Sequence, residues 1–211
     1  MFDRHHFQAT VAALGVELIL PIVEEVFDQL TGAYGHPSRY YHSQAHIEDC
    51  FQLWQRYQTL ADRPQEVALA LWFHDAVYDT QRQDNEERSA DWARTFLQKV
   101  AVQEVVIQRI EALIRVTKTH INPADADQAL LLDIDLSILG QPPVVFQRYD
   151  RAIRQEYAWV PETEYRSARA SVLHGFFARP CLYYTTPFQR LYEERARCNL
   201  SRTIATYRMK N

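Results

Sequence analysis

The run Val67-Ala68-Leu69-Ala70-Leu71-Trp72-Phe73-His74-Asp75-Ala76-Val77-Tyr78-Asp79 is apolar through Phe73, then sets an imidazole beside a carboxylate. Pro64 opens the run as a helix that extends to about Ala76. Leucine or alanine would ordinarily close so hydrophobic a segment. Burying a histidine and an aspartate costs several kcal/mol unless each finds a partner. A divalent cation satisfies both groups at once and is the most economical partner.

Outward from this helix the chain reads as helical almost throughout. Only five glycines occur in 211 residues, and strand-like alternation bounded by turns is scarce. The pattern predicts a first helix over 7–30, ended by Thr31-Gly32-Ala33-Tyr34-Gly35, and a second over 44–60 with Ser43 as N-cap. After the Pro64 helix come a fourth, capped by Asp84-Asn85-Glu86-Glu87 and reaching Lys99, and a fifth over 103–118. A sixth starts at Asn122-Pro123 and stops at Gly140. Three more, at about 144–158, 162–178 and 188–207, are punctuated by Pro161, Pro180 and Pro187. The expectation is one all-α domain over 1–211, a bundle of about nine helices around a buried metal site. Its metal-site core covers about 40–140 and its arginine-rich part about 144–208.

Further ligands are sought on the neighbouring helices. His46 lies one turn before Cys50 and opens the stripe leading to Phe51 and Trp54, so it faces the core. His42 precedes the N-cap and is placed near the entrance. Their spacing of four suits a zinc protease, but Ser43 stands where that motif needs glutamate. Asp133 and Asp135 point about 200° apart on one helix, so only one can face the ion. Asp135 has Leu131, Leu132, Ile138 and Leu139 around it and is chosen as the inward ligand, with Asp133 as the fallback.

A histidine, a His-Asp pair 28 residues on and an aspartate 60 residues further resemble the HD superfamily of metal-dependent phosphohydrolases. The stretches RYYHSQAHIEDC, ALWFHDAVYDT, DNEERSA, LLDIDLSILG, IRQEYAWVP and ARCNL look like one subfamily of predicted HD phosphohydrolases. The resemblance implies an HD-like bundle with His46, His74, Asp75 and Asp135 as ligands. Two imidazoles and two carboxylates suit Mn, Fe, Co, Ni or Mg with room for water, zinc being the lower-coordinate alternative. It also implies hydrolysis of a small phosphorylated molecule, a nucleotide, by attack of metal-bound water or hydroxide on phosphorus.

Asp75 and Asp79 are the catalytic candidates, Asp79 as the group that orients the water or protonates the leaving oxygen. Alarmone-hydrolysing HD enzymes carry Glu-Asp where this chain has Tyr78-Asp79, so the implication is general phosphohydrolase chemistry. His120 is placed beside the substrate or behind the ligands, since a second metal would call for more histidines. Arg39, His42, Lys118 and Arg169 are the remaining substrate-binding candidates, with Arg166 and Arg197 as further phosphate partners. Two rivals are a metal-stabilised nucleotide-binding or sensor module without turnover and an HD-type di-iron oxygenase.

Composition bounds the partners. The net charge of −4 disfavours nonspecific nucleic-acid binding. Residues 1–147 hold 11 basic against 21 acidic side chains, whereas residues 148–208 hold 11 arginines against 6 acids. That contrast suggests an acidic part holding a cation and a basic part meeting an anion. No apolar run approaches the length that spans a bilayer. Three scattered cysteines fit reduced thiols, and no secretion signal opens the chain, so a cytoplasmic enzyme is expected. No P-loop glycine pattern occurs.

Overall fold

A computed structural model describes residues 2–209. They form ten α-helices and two short 3-10 segments, with no strand among the described residues. The chain divides into two compact units, Met1–Leu132 and Asp133–Asn211.

The first unit contains α1 (Arg4–Ala12), α2 (Leu20–Tyr34), α3 (Gln44–Tyr57), α4 (Pro64–Phe73), α5 (Asn85–Lys99) and α6 (Glu104–Val116). It also takes in the start of α7 (Ala126–Asp135), the helix in which the division falls. Every residue of α4 from Glu66 to Phe73 is buried. A helix apolar on all sides has no face to give to water, and α1, α3, α5 and α6 pack around this one. Trp72 is its hub, with ring centroids 5.2 Å from Phe7, 4.9 Å from Phe51 and 6.2 Å from Phe27.

The buried acids of this unit are answered by arginines. Glu66 takes a two-pronged contact from Arg109 at 2.6 and 2.8 Å. Glu111 accepts from Arg94 and Arg115, and Asp127 from Arg63. Burial alone would push the Glu111 carboxyl up, but the two guanidiniums win and hold it below its usual range.

The first expected helix is two. After α1 the chain turns through Gly15 at φ +78°, and Pro21 restarts it within the first turn of α2. A left-handed residue and a proline interrupt what reads as one apolar stripe. The sixth helix begins later than expected, at Ala126 rather than Asn122-Pro123. His120 and Asn122 both have positive φ, and Asp125 is the capping group, its Oδ1 accepting from Gln128 N at 2.9 Å. At α5 the side chain of Asp84 makes no capping bond, because Arg82 takes both of its oxygens at 2.6 and 2.7 Å. Ser43 holds the N-cap position of α3 without a capping bond from its hydroxyl.

The second unit contains the end of α7, a 3-10 segment Leu136–Gly140, α8 (Pro143–Glu156), α9 (Glu162–Phe177) and α10 (Thr186–Arg208). α10 packs on α9 and on the 3-10 segment, where Gly140 leaves room that a Cβ would take from Tyr192. Asn199 on α10 donates to the carbonyls of Leu139 and Gln141, tying that crossing.

Candidate metal centre

α4 ends at Phe73, so His74 is its C-cap and Asp75 lies in the following turn. A helix end leaves carbonyls without intrahelical donors. Here they have specific ones. The Ala70 carbonyl accepts from the His74 amide, that of Leu71 from His74 Nδ1 at 3.1 Å, and that of Trp72 from the Tyr34 hydroxyl at 3.0 Å. Arg39 donates to the carbonyls of Asp75 at 2.6 Å and Ala76 at 2.8 Å. Ser89 Oγ accepts from the amide of Val77, and Asn85 exchanges two hydrogen bonds with the backbone of Asp79. Every turn of this segment is therefore pinned before any ligand is considered.

The pinning brings His74 and Asp75 against His46 of α3. Nε2 of His46 lies 3.3 Å from Nε2 of His74 and 3.6 Å from Asp75 Oδ2, which is itself 3.2 Å from His74 Nε2. Both imidazoles are buried and Asp75 is half-buried. The three residues offer ligand atoms that all lie within 4.8 Å of one another.

The donor set fits a metal. The Leu71 carbonyl selects the tautomer of His74 with its proton on Nδ1, as a partner behind a metal-bound histidine does. Its Nε2 then presents a lone pair toward a carboxylate oxygen and a second imidazole nitrogen. Acceptors gathered this way repel unless a cation, metal or proton, sits among them. Ligands about 2.1 Å from one first-row ion lie roughly 3.0–3.4 Å apart in octahedral or tetrahedral arrangement. The two shorter separations match that window, and the third exceeds it slightly.

Two carboxylates not singled out as site residues flank the trio. Glu86, in the first turn of α5, is held above the usual carboxylate range by burial and then by the charge of Asp75. Asp49, exposed on α3, is raised by partial desolvation, while His46 pulls it back. Glu86 stands in the acidic run read only as a helix cap, and the acidity of that run was the available signal. Tyr41 and Cys50 complete the wall, the Tyr41 ring centroid 4.8 Å from that of His46 and the Cys50 sulfur 3.7 Å from its Nε2.

Asp135 is half-buried at the end of α7 and belongs to the second unit. Asp133, the fallback, is fully buried and committed elsewhere: its two oxygens accept from the amides of Tyr184 and Thr185, each at 2.7 Å. Burial pushes its carboxyl up to about 6 despite those bonds. Asp79 is exposed, and its Oδ1 accepts from the Gln81 amide in a tight turn.

His42 is half-buried and stacks on Tyr78 at 4.1 Å. His120 is half-buried in the left-handed turn after α6. Arg39 spends its donors on backbone carbonyls, and exposed Lys118 bonds Glu87 and the Gln83 carbonyl. Arg169 is buried in the second unit, where its Nε donates to Asp150 at 3.0 Å and Tyr149 lies under its guanidinium. It does not carry a guanidinium toward an opening, because a charge that deep needs its carboxylate.

No single described helix is long and apolar enough to cross a membrane. Searches among protein-family models, curated proteins and solved structures find no match to this chain. What the molecule itself shows is an all-helical protein with a buried His46–His74–Asp75 cluster able to chelate a divalent cation.

Proposed function

We propose that this protein is a metal-dependent phosphohydrolase of the HD type acting on a small phosphorylated molecule, with a nucleotide as the substrate class. The observation that carries the reading is the convergence of His46, His74 and Asp75 at the end of the most buried helix. A bound divalent cation would supply Lewis-acid polarisation of a phosphoryl oxygen and acidify a coordinated water. The protein's own part is to hold two imidazoles and one carboxylate in place. His74 is oriented by the Leu71 carbonyl, and Asp75 is presented by a turn held by Arg39 and Ser89. Asp135 is proposed as the fourth ligand on its sequence setting among leucine and isoleucine.

Asp79 is proposed as the group that holds or delivers a proton at the leaving oxygen. Its backbone is fixed by Asn85 four residues beyond Asp75. The guanidiniums of Arg39 and Arg169 are engaged by backbone carbonyls and by Asp150, so the proposal assigns neither a phosphate.

The test is a phosphate-release screen over nucleotides and phosphomonoesters, with Mn, Co, Ni and Mg supplied in turn. Asp75→Ala is expected to lose both metal and turnover. Asp79→Ala is expected to keep metal and lose ~10²–10⁴-fold in rate, the usual worth of general acid–base help. Unchanged kcat in Asp79→Ala leaves that residue only its turn-forming bond. Metal uptake without any phosphate release selects the non-catalytic module, and iron-dependent oxygen uptake selects the oxygenase.

A further inference from the structure

We propose that Arg39 is a positioning residue, the clasp that sets the separation between the two ligand-bearing segments; the inference rests on the metal-centre reading above. His46 and the His74-Asp75 pair are 28 residues apart in the chain, and no covalent feature fixes their distance. Arg39 stands in the connection between α2 and α3 and reaches both sides. Its Nη1 donates to the carbonyl of His42 at 3.3 Å, just ahead of α3, and to that of Asp75 at 2.6 Å. Its Nη2 donates to the carbonyl of Ala76 at 2.8 Å.

The guanidinium plane is held as firmly as its edges. The Tyr34 ring lies 5.1 Å from its central carbon and the Tyr78 ring 5.6 Å from it. Each ring is anchored in turn. The Tyr34 hydroxyl bonds the Trp72 carbonyl, and Tyr78 stacks on His42. A planar fork between two aromatic faces loses little freedom on bonding, which a lysine ammonium cannot imitate.

The contact is to the backbone oxygen of Asp75, so it leaves the carboxylate in the cluster with His46 and His74. It also sets a positive charge against the carbonyl end of α4, where the helix dipole favours one. The clasp thus brings the ligands to coordinating distance from the protein side.

The experiment uses the full chain, with cobalt(II) as probe, titrated by visible absorption into wild type, Arg39→Gln and Arg39→Lys. The clasp predicts that Arg39→Gln weakens cobalt binding about 10–100-fold, as loss of groups that orient ligands does. It also predicts a changed visible spectrum, with Arg39→Lys intermediate. Wild-type affinity and spectrum in Arg39→Gln, with only KM for a phosphorylated substrate raised, would overturn the clasp and make Arg39 a substrate contact. Should Arg39→Gln not fold, Arg39→Lys decides alone: a weakened and spectrally altered site supports the clasp, and an unchanged one overturns it. If wild type takes up no cobalt, the metal reading fails by itself. The clasp is then judged in the metal-free proteins from the imidazole NMR resonances of His46 and His74, which it predicts to shift in the variant and which its failure would leave in place.

Discussion

In the first unit the deeply buried acids Glu66, Glu111 and Asp127 each face an arginine, whereas Asp75 is drawn together with two histidines. In the second unit it is arginines that need partners, and four of them find theirs in backbone carbonyls at helix ends. Arg154 bonds the carbonyls of Tyr157 and Val160 after α8, and Arg166 those of Thr206 and Tyr207 at the end of α10. Arg197 reaches Phe177, Arg179 and Pro180 after α9, and Arg195 reaches Gly140. The cations sit where orphan carbonyls and the negative end of the helix dipole call for them. A positive balance in sequence is therefore weak ground for an anion site, because a guanidinium bonded to carbonyls adds to the same count. A His-Asp pair at the end of an apolar helix is stronger ground, because bonding the Leu71 carbonyl uses only Nδ1 of His74 and leaves its Nε2 facing Asp75 and His46.

The largest effect that would sharpen this contrast is expected at Asp133, the second unit's counterpart to Asp75. Asp133→Ala would leave two part-buried amides without their acceptors, at a cost of about 1–3 kcal/mol in denaturant unfolding. Metal affinity should not change with it; a coupled loss of metal would reinstate Asp133 as a ligand. Its titration has a definite sign. With a folded pKa of about 6 against an unfolded value near 3.9, the folded state binds the proton more tightly. Its contribution is full below about pH 4, lost as pH rises toward 6, and constant above, by at most about 3 kcal/mol. Asp133→Asn should flatten that part of the stability profile. An unaltered slope would show that Asp133 is not the titrating group.

A smaller effect is expected from Arg197→Gln, which removes the carbonyl contacts after α9 and the ion pair with Glu193. Roughly 1–2 kcal/mol of stability should go, since the bonds are charged but partly solvated. KM for phosphorylated substrates should stay put. A raised KM at unchanged stability would restore the anion-binding reading of this region. Smallest of all is Lys118→Ala. Its exposed, solvent-screened pair with Glu87 should contribute little to stability, and less at high salt.

Helices were legible where apolar periodicity met Pro64, Pro143 and Pro187, but not at Pro123, beyond which α7 starts only at Ala126. They were misread where a stripe ran through a break. Gly15 and Pro21 lie inside a continuous hydrophobic pattern, so periodicity outweighed the two residues that decide the backbone. His46, His74 and Asp75 could be picked out because polarity at inward positions is itself a signal. Of the aspartate pair on α7 it is Asp133, not the Asp135 expected inward, that is fully buried, because its partners at Tyr184 and Thr185 are backbone groups more than fifty residues away. Arg39 was legible as important, but its bonds to backbone carbonyls were not. Backbone carbonyls have no letter in a sequence, and an arginine that serves them looks like one waiting for phosphate.

The most direct measurement is X-ray absorption at the metal edge on the full chain loaded with one equivalent of manganese, compared with the Asp75→Ala and His74→Ala variants. The account predicts a first shell of nitrogen and oxygen near 2.0–2.3 Å that includes two imidazoles, and its loss in both variants. Manganese surrounded only by water-like oxygen, or a wild-type shell retained in either variant, would contradict it.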